Sequence, residues 1–464
     1  MRLFDTSTYV EDDKKQGEIP KFKNVAKDVM KIVWPSMLEG FLVALVTMFD
    51  GIQVSSIGND ANSAVTITKQ PIFLMISFIT AINIALTAIV SRRFGEKNQD
   101  AVNKTMYEGI KISAITSVLL SIIFCIFSEP VCKLMGATVN TLEYAKTYLF
   151  IISAGFIFNG LRLTINACQR GIGKTKISMF TNLAANIVNI ALNYVLINGY
   201  FGFPQLGIAG AAIATVIGNM VAFIISLVTV LLPNGYLRLK IKEFFKMDFE
   251  ALENVRRILP STLLDQLLIR FGFIVFALVV NYLGDDATYV HGVCQDINSL
   301  MFTLADGFSI GTAAIVGHRL GEKRKDLALV YSKVSMIISF ACAVLVSIFV
   351  VTCRGFLVGL YKPETVYREE SAKLILLIAA LMMLPQNTSW VMTGILRGSG
   401  DTKYTAIVSL VCVVFVRPVS AVLLCYPLGL GVIGAWIGMI FDQVVRLILN
   451  TRRYRQRKWL QIKV

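Results

Sequence analysis

Charge is what this sequence is short of. Only 16% of its 464 residues are Asp, Glu, Lys or Arg, against about a quarter in soluble globular chains. With 55% hydrophobic residues and a mean hydropathy of +0.65, that deficit excludes a water-soluble globule. Histidine is nearly absent: His291 and His318 are too far apart to form a helical metal pair. The eight cysteines are scattered, mostly in apolar runs (Cys125, Cys168, Cys342, Cys412), with no CxxC spacing, so neither a disulfide framework nor a metal site is expected. Alternating ten-residue segments of the barrel type are missing too.

What remains is a chain of long apolar runs with its few charges bunched between them. Spans are expected at 34–57, 70–90, 110–127, 147–168, 177–197, 207–232, 258–283, 291–316, 334–352, 374–395, 404–425 and 431–450. Alternate loops are rich in Lys and Arg, among them Ser91–Lys97, Gln169–Lys176, the stretch from Arg238 to Arg257 and the tail from Arg452. This explains the net charge of +15 as a topology signal, so no nucleic-acid partner is expected, and it places both termini in the cytoplasm. Residues 1–33 show no cleavable signal pattern. Val25, Ala26, Val29 and Val33 recur there at helical spacing among lysines, which predicts an amphipathic helix lying on the cytoplasmic surface. The 238–257 stretch is expected to form a second surface helix.

A shift of roughly 225 residues lays the chain on itself. Pro35 meets Pro260, and Arg93-Phe-Gly-Glu-Lys97 meets Arg319-Leu-Gly-Glu-Lys323. Arg170-Gly-Ile-Gly173 meets Arg397-Gly-Ser-Gly400, and Gly207 meets Gly431. An even number of spans per unit makes these parallel repeats. The expected fold is therefore an all-α membrane protein with twelve transmembrane helices in two six-helix lobes around a central cavity. The lobes are expected at 34–232 and 258–450, joined by a linker at 233–257 and followed by a basic tail at 451–464. The Arg-Gly-x-Gly turns lack the strand and spacing of a phosphate loop, so ATP is not expected as the energy source.

One acid lies well inside the first span. A carboxylate at the depth of Asp50 costs at least about 2.5 kcal/mol on insertion scales, so it is rarely kept without a partner or a task. Its setting in the duplicated chain resembles the multidrug and toxic compound extrusion (MATE) family over nearly the whole length. The resemblance rests on Pro35 with Asp50, the Arg-x-Gly-Glu loops, the Arg-Gly-x-Gly turns, and Asn189-Ile-Ala-Leu-Asn193 with the residues up to Gly207, which are similar to the NorM-like branch. It implies export of bulky organic cations in exchange for Na+ or H+. It also implies that Asp50 lies near Asn166, Asn189 and Asn193. Asn189 and Asn193, four apart, share a helix face in any case. Amide oxygens with one carboxylate suit a hard cation such as sodium, or burial makes the carboxyl a proton carrier. Interhelical packing by the same asparagines is the alternative.

The second half departs from the pattern. Where the resemblance implies acids in helices seven and ten, this chain has Leu268 and Gln386. Coupling is therefore expected to rest on Asp50, the residue that would hold Na+ in a sodium-coupled exchanger, with no other cofactor. Asp265, Asp306 and Gln386 are the candidate cavity residues, and paired structural charges are the usual explanation for most of the buried ions. No nucleophile–base constellation of an enzyme is readable. The expected protein is a monomeric antiporter in the cytoplasmic membrane, with organic cations and membrane lipid as its partners. A flippase for lipid-linked saccharides, favoured by Arg162, Arg270 and Arg417, is the alternative within the same superfamily.

Overall fold

The computed structural model describes residues 4–55, 57–233, 235–361 and 365–462, and among them there is no strand. The order of the helices follows the apolar runs. α1 (Phe22–Ser55), α2 (Asn59–Gly95) and α3 (Gln99–Ile126) are followed by the short α4 (Ser128–Leu134). Then come α5 (Val139–Ala154), α6 (Phe156–Gly171), α7 (Thr175–Asn198), α8 (Gly207–Leu231) and the single-turn α9 (Ile241–Phe244). The second half begins with α10 (Phe249–Asn281), α11 (Asp285–Gly321), α12 (Lys325–Gly359) and α13 (Val366–Gly398). It ends with α14 (Thr402–Ser409), α15 (Arg417–Cys425) and α16 (Gly431–Arg455). Among the described residues, eleven helical stretches are long and apolar enough to cross a membrane, and the bent pair α5–α6 makes the twelfth span.

The duplication is written in the backbone as well as in the residues. Lys97 and Lys323, which close the two Arg-x-Gly-Glu-Lys turns, adopt left-handed φ values of 58° and 60°. In each turn the arginine reaches forward to the glutamate: Arg93 to Glu96 and Arg319 to Glu322, both at 2.9 Å. Gly173 and Gly400 have φ of 80° and 88°, and Gly207 and Gly431 have 52° and 55°. Left-handed backbone favours glycine, so equal turn chemistry at equal register yields equal turns.

The chain separates into two compact units, Phe41–Leu259 and Met1–Gly40 with Pro260–Val464. The divisions fall inside α1 and α10, six residues or fewer from Pro35 and Pro260, instead of at residues 34 and 258. In the first unit, Met75, Ile79, Ile82, Leu86 and Ile89 form a fully buried stripe along α2 at alternating steps of four and three. In the second unit, Val25, Val29 and Val33 are buried in one core with Phe308, Ile315, Val330 and Trp459. The expected surface helix before residue 34 is therefore corrected: it runs without a break into α1, and its apolar stripe faces other helices. Amphipathic spacing looks the same whether a helix covers lipid or protein. The second expected surface helix, at 238–257, is split between the single turn of α9 and the first residues of α10.

Two spans are irregular where the sequence reads as regular. α5 and α6 meet at 49° about Gly155, where an added Cβ would lie 2.4 Å from Val216. The eleventh span contains a π-helical stretch, Leu410–Val416, between α14 and α15. Each break lies at a residue that helices tolerate poorly, Gly155 at the bend and Pro418 just after the π-helical stretch.

Candidate functional site around Asp50

Within the unit Phe41–Leu259, α7 carries a polar stripe: Asn182, Asn186, Asn189 and Asn193, spaced four, three and four apart. α8 packs tightly beside it because small residues face it. A Cβ on Gly218 would lie 2.9 Å from the Ala185 carbonyl oxygen, and one on Gly210 2.7 Å from that of Leu196. This close approach brings Thr215 of α8 to Asn189.

Asp50, half-buried in α1, receives both amides of the stripe's outer pair. Asn193 donates its Nδ2–H to Asp50 Oδ1 at 2.8 Å. With its nitrogen facing the carboxylate, Asn189 donates to the same oxygen at 2.8 Å, while its oxygen lies 3.1 Å from the Thr215 hydroxyl. Hydrogen bonds to an ionised acceptor are the strong ones, so two amides on one oxygen fit a carboxylate. Asn193 itself is buried, and its Oδ1 has no hydrogen-bond partner. An orphaned amide oxygen beside a carboxylate is what a hard cation would use: the donor set is all oxygen with a single negative charge. Among the described residues no group of three His, Cys, Asp or Glu side chains is placed to hold a metal ion.

Thr215 also lines a cavity of about 150 Å³ with Tyr148, Asn159 and Asn219. Asn159 accepts from Arg162 Nη2 at 2.8 Å, and Asn182 accepts from Arg162 Nη1. The stripe on α7 thus runs from a buried guanidinium at Asn182 to a carboxylate at Asn189 and Asn193. Thr215, Tyr148, Asn159 and Asn182 were not singled out from the sequence. Asn182 continues the spacing of the other three and was legible. Thr215 is marked only by its neighbours.

The remaining expected site residues are placed elsewhere. Asn166, on α6, is fully buried and accepts from the Ser226 hydroxyl at 3.0 Å, so it ties α6 to α8. Asp265 of α10 is fully buried and paired with Arg397 of α13 at 2.7 Å. Its partner thus lies on a neighbouring helix. Asp306 is half-buried on α11, and Gln386 is buried on α13. Arg417 is paired with Asp442, whose second oxygen lies 3.6 Å from Arg446.

Fold and site together define a helical membrane transporter built from a duplicated unit, with a carboxylate, Asp50, held by two amides in its first half. The chain belongs to the MatE family, whose profile matches residues 35–195 and 260–423. It is similar to the "Uncharacterized transporter YisQ" of Bacillus subtilis, at 26% identity over 93% of this chain and 95% of that one. It is also similar to the "Probable multidrug resistance protein NorM" of Thermotoga maritima, at 27% identity over 95% and 94%. Its fold matches that of a solved MOP superfamily transporter from Pyrococcus furiosus with a TM-score of 0.88, at 19% identity over 95% and 97% of the two chains. The protein is accordingly a multi-pass membrane transporter of a multidrug efflux family and not an enzyme.

Proposed function

We propose that this protein is a secondary antiporter that exports organic cations in exchange for a monovalent cation bound at Asp50. The observation that carries this reading is the Asp50–Asn189–Asn193 cluster, in which a carboxylate in a membrane span is met by two amides and a spare buried oxygen. Relatives named as multidrug resistance proteins support the substrate class. The basic loops support a cytoplasmic-membrane location with both termini inside.

In the arrangement described, both amides present N–H to the carboxylate. Sodium would require them to turn and present oxygen, whereas a proton would go onto Asp50 itself and weaken both bonds. Either event changes what holds α1 to α7, which is how ion binding would bias a conformational equilibrium. The flippase alternative gains no support, since Arg417 is neutralised by Asp442 and the relatives carry multidrug names.

The test is transport of an organic dye cation in proteoliposomes with a sodium or a proton gradient imposed separately. One of the two gradients should drive export, and Asp50→Asn should abolish the response at unchanged expression. Intact gradient-driven export by Asp50→Asn would overturn the assignment.

A further inference from the structure

We infer that the segment Arg238–Phe249 is a docking surface for anionic phospholipid headgroups. The chain leaves α8 at Leu231 and enters α10 at Phe249, ahead of the apolar run that begins at residue 258, so the connection is tethered between the ends of two spans. Its inward face is fixed on α3. Asn103 accepts from the Arg238 N–H at 2.9 Å, and the Tyr107 hydroxyl donates to the Arg238 carbonyl at 2.6 Å. Lys111 donates to the Lys246 carbonyl at 2.8 Å, and the buried Glu108 accepts from the Asp248 N–H at 3.0 Å. Phe244 fills the contact, its ring edge-on to Tyr107.

With the polar backbone committed inward, the outward face is apolar. Ile241, Phe245, Met247 and Phe249 are 65%, 79%, 58% and 76% exposed. Around them lie four exposed cations, Arg238, Lys240, Lys242 and Lys246, against two acids, Glu243, which is paired with Lys240 at 3.0 Å, and Asp248, which is paired with Lys104 of α3 at 3.2 Å. A short apolar face rimmed by lysine and arginine matches an acyl boundary beneath negative headgroups, where aromatic rings enter the interface and cations meet phosphate. A neutral protein groove would leave the rim uncompensated. Because the segment is already held rigid on α3, lipid binding needs no ordering of the loop.

The experiment uses the full chain in nanodiscs of phosphatidylcholine alone or mixed with phosphatidylglycerol. The apparent Tm should rise with phosphatidylglycerol. In Lys240→Gln/Lys242→Gln/Lys246→Gln that rise should largely vanish, with about fivefold weaker phosphatidylglycerol binding per lysine removed. Phe245→Trp should add fluorescence that lipids brominated near the headgroup quench. This readout does not depend on the triple variant folding. Equal Tm in both lipids, or a new tryptophan that brominated lipid leaves unquenched, would overturn the inference. So would the same stabilisation by inorganic phosphate in detergent, which would assign the rim to a free anion. None of these readouts involves transport, so the result stands apart from the fate of the Asp50 reading.

Discussion

Asn193 gives its amide proton to Asp50 at 2.8 Å while its own Oδ1 stays buried with no hydrogen-bond partner. The bond and the spare oxygen have opposite uses, one holding the ionised carboxylate through an N–H and the other available to a cation. Asn193→Leu keeps the volume and removes both. A hydrogen bond to a charged group contributes about 1.5–3 kcal/mol, and losing one that favours the ionised carboxylate should let proton-driven export run on roughly 10- to 150-fold less coupling ion, whereas losing the spare oxygen should weaken sodium-driven export. Apparent ion affinity measured in proteoliposomes, beside dye binding in detergent, separates this from simple damage: dye binding should hold. If the ion dependence of Asn193→Leu matched the native protein, the asparagine would be a packing residue.

The closeness of α7 and α8 is a precondition for that site. Gly218→Val would drive a side chain into the Ala185 carbonyl and against Asn189, whose Cβ lies 3.3 Å from the position of an added Cβ. Overpacking of this kind costs about 1–3 kcal/mol. The apparent Tm should fall by several degrees, and Asn189 should lose its register with Thr215. Gly136→Ala is the contrasting variant, because nothing lies near that position. Its positive φ of 91° makes any loss there a backbone effect without a packing one.

The duplicated architecture and the Asp50 pair on α7 were legible in the sequence for concrete reasons. Turn residues such as Lys97 and Gly173 have to be equivalent where the backbone is equivalent, so the repeat shows in them. Asn189 and Asn193 are separated by one helical turn, and a carboxylate in an apolar run is rare enough to be noticed. What the spacing does not show has equally concrete causes. Asn166 has the right residue type, but its partner Ser226 lies on another helix, and no spacing within α6 encodes that. The close approach at Gly155 is to Val216, more than sixty residues away. The stripe Val25, Val29 and Val33 is the same pattern whether lipid or α11 covers it.

Asp248 offers a pH-dependent test outside the membrane spans. The Ala251 N–H, bonded to its Oδ1 at 2.9 Å, and then the Lys104 ammonium at 3.2 Å hold its carboxyl below the usual carboxylate range. A lowered folded-state pKa contributes stability that is present above the unfolded value and is lost as the pH falls through the folded one. Asp248→Ala should lower stability by about 1 kcal/mol at neutral pH, the usual cost of a missing helix cap. Asp248→Asn keeps the cap and removes the charge, so its stability should fall less on acidification. Thermal scans between neutral and acidic pH give the comparison. Parallel pH curves for the native protein and Asp248→Asn would dismiss the carboxylate's contribution.

The pair Asp265–Arg397 decides whether an acid in the second unit has a structural or a coupling role. At 2.7 Å, with the Asp265 side chain 1% exposed, the pair joins α10 to α13. Removing one member leaves the other as an uncompensated buried charge, at about 3–5 kcal/mol, while apolar replacement of both is often neutral. Asp265→Leu alone should therefore be strongly destabilised, and Asp265→Leu/Arg397→Met should recover most of the loss. The two substitutions would then show a large coupling energy in a double-mutant cycle. Transport adds the second half of the argument. If coupling rests on Asp50, the double variant should export with native ion stoichiometry once its stability is restored. A stable double variant that exports without responding to the gradient would move the coupling carboxylate from α1 to α10.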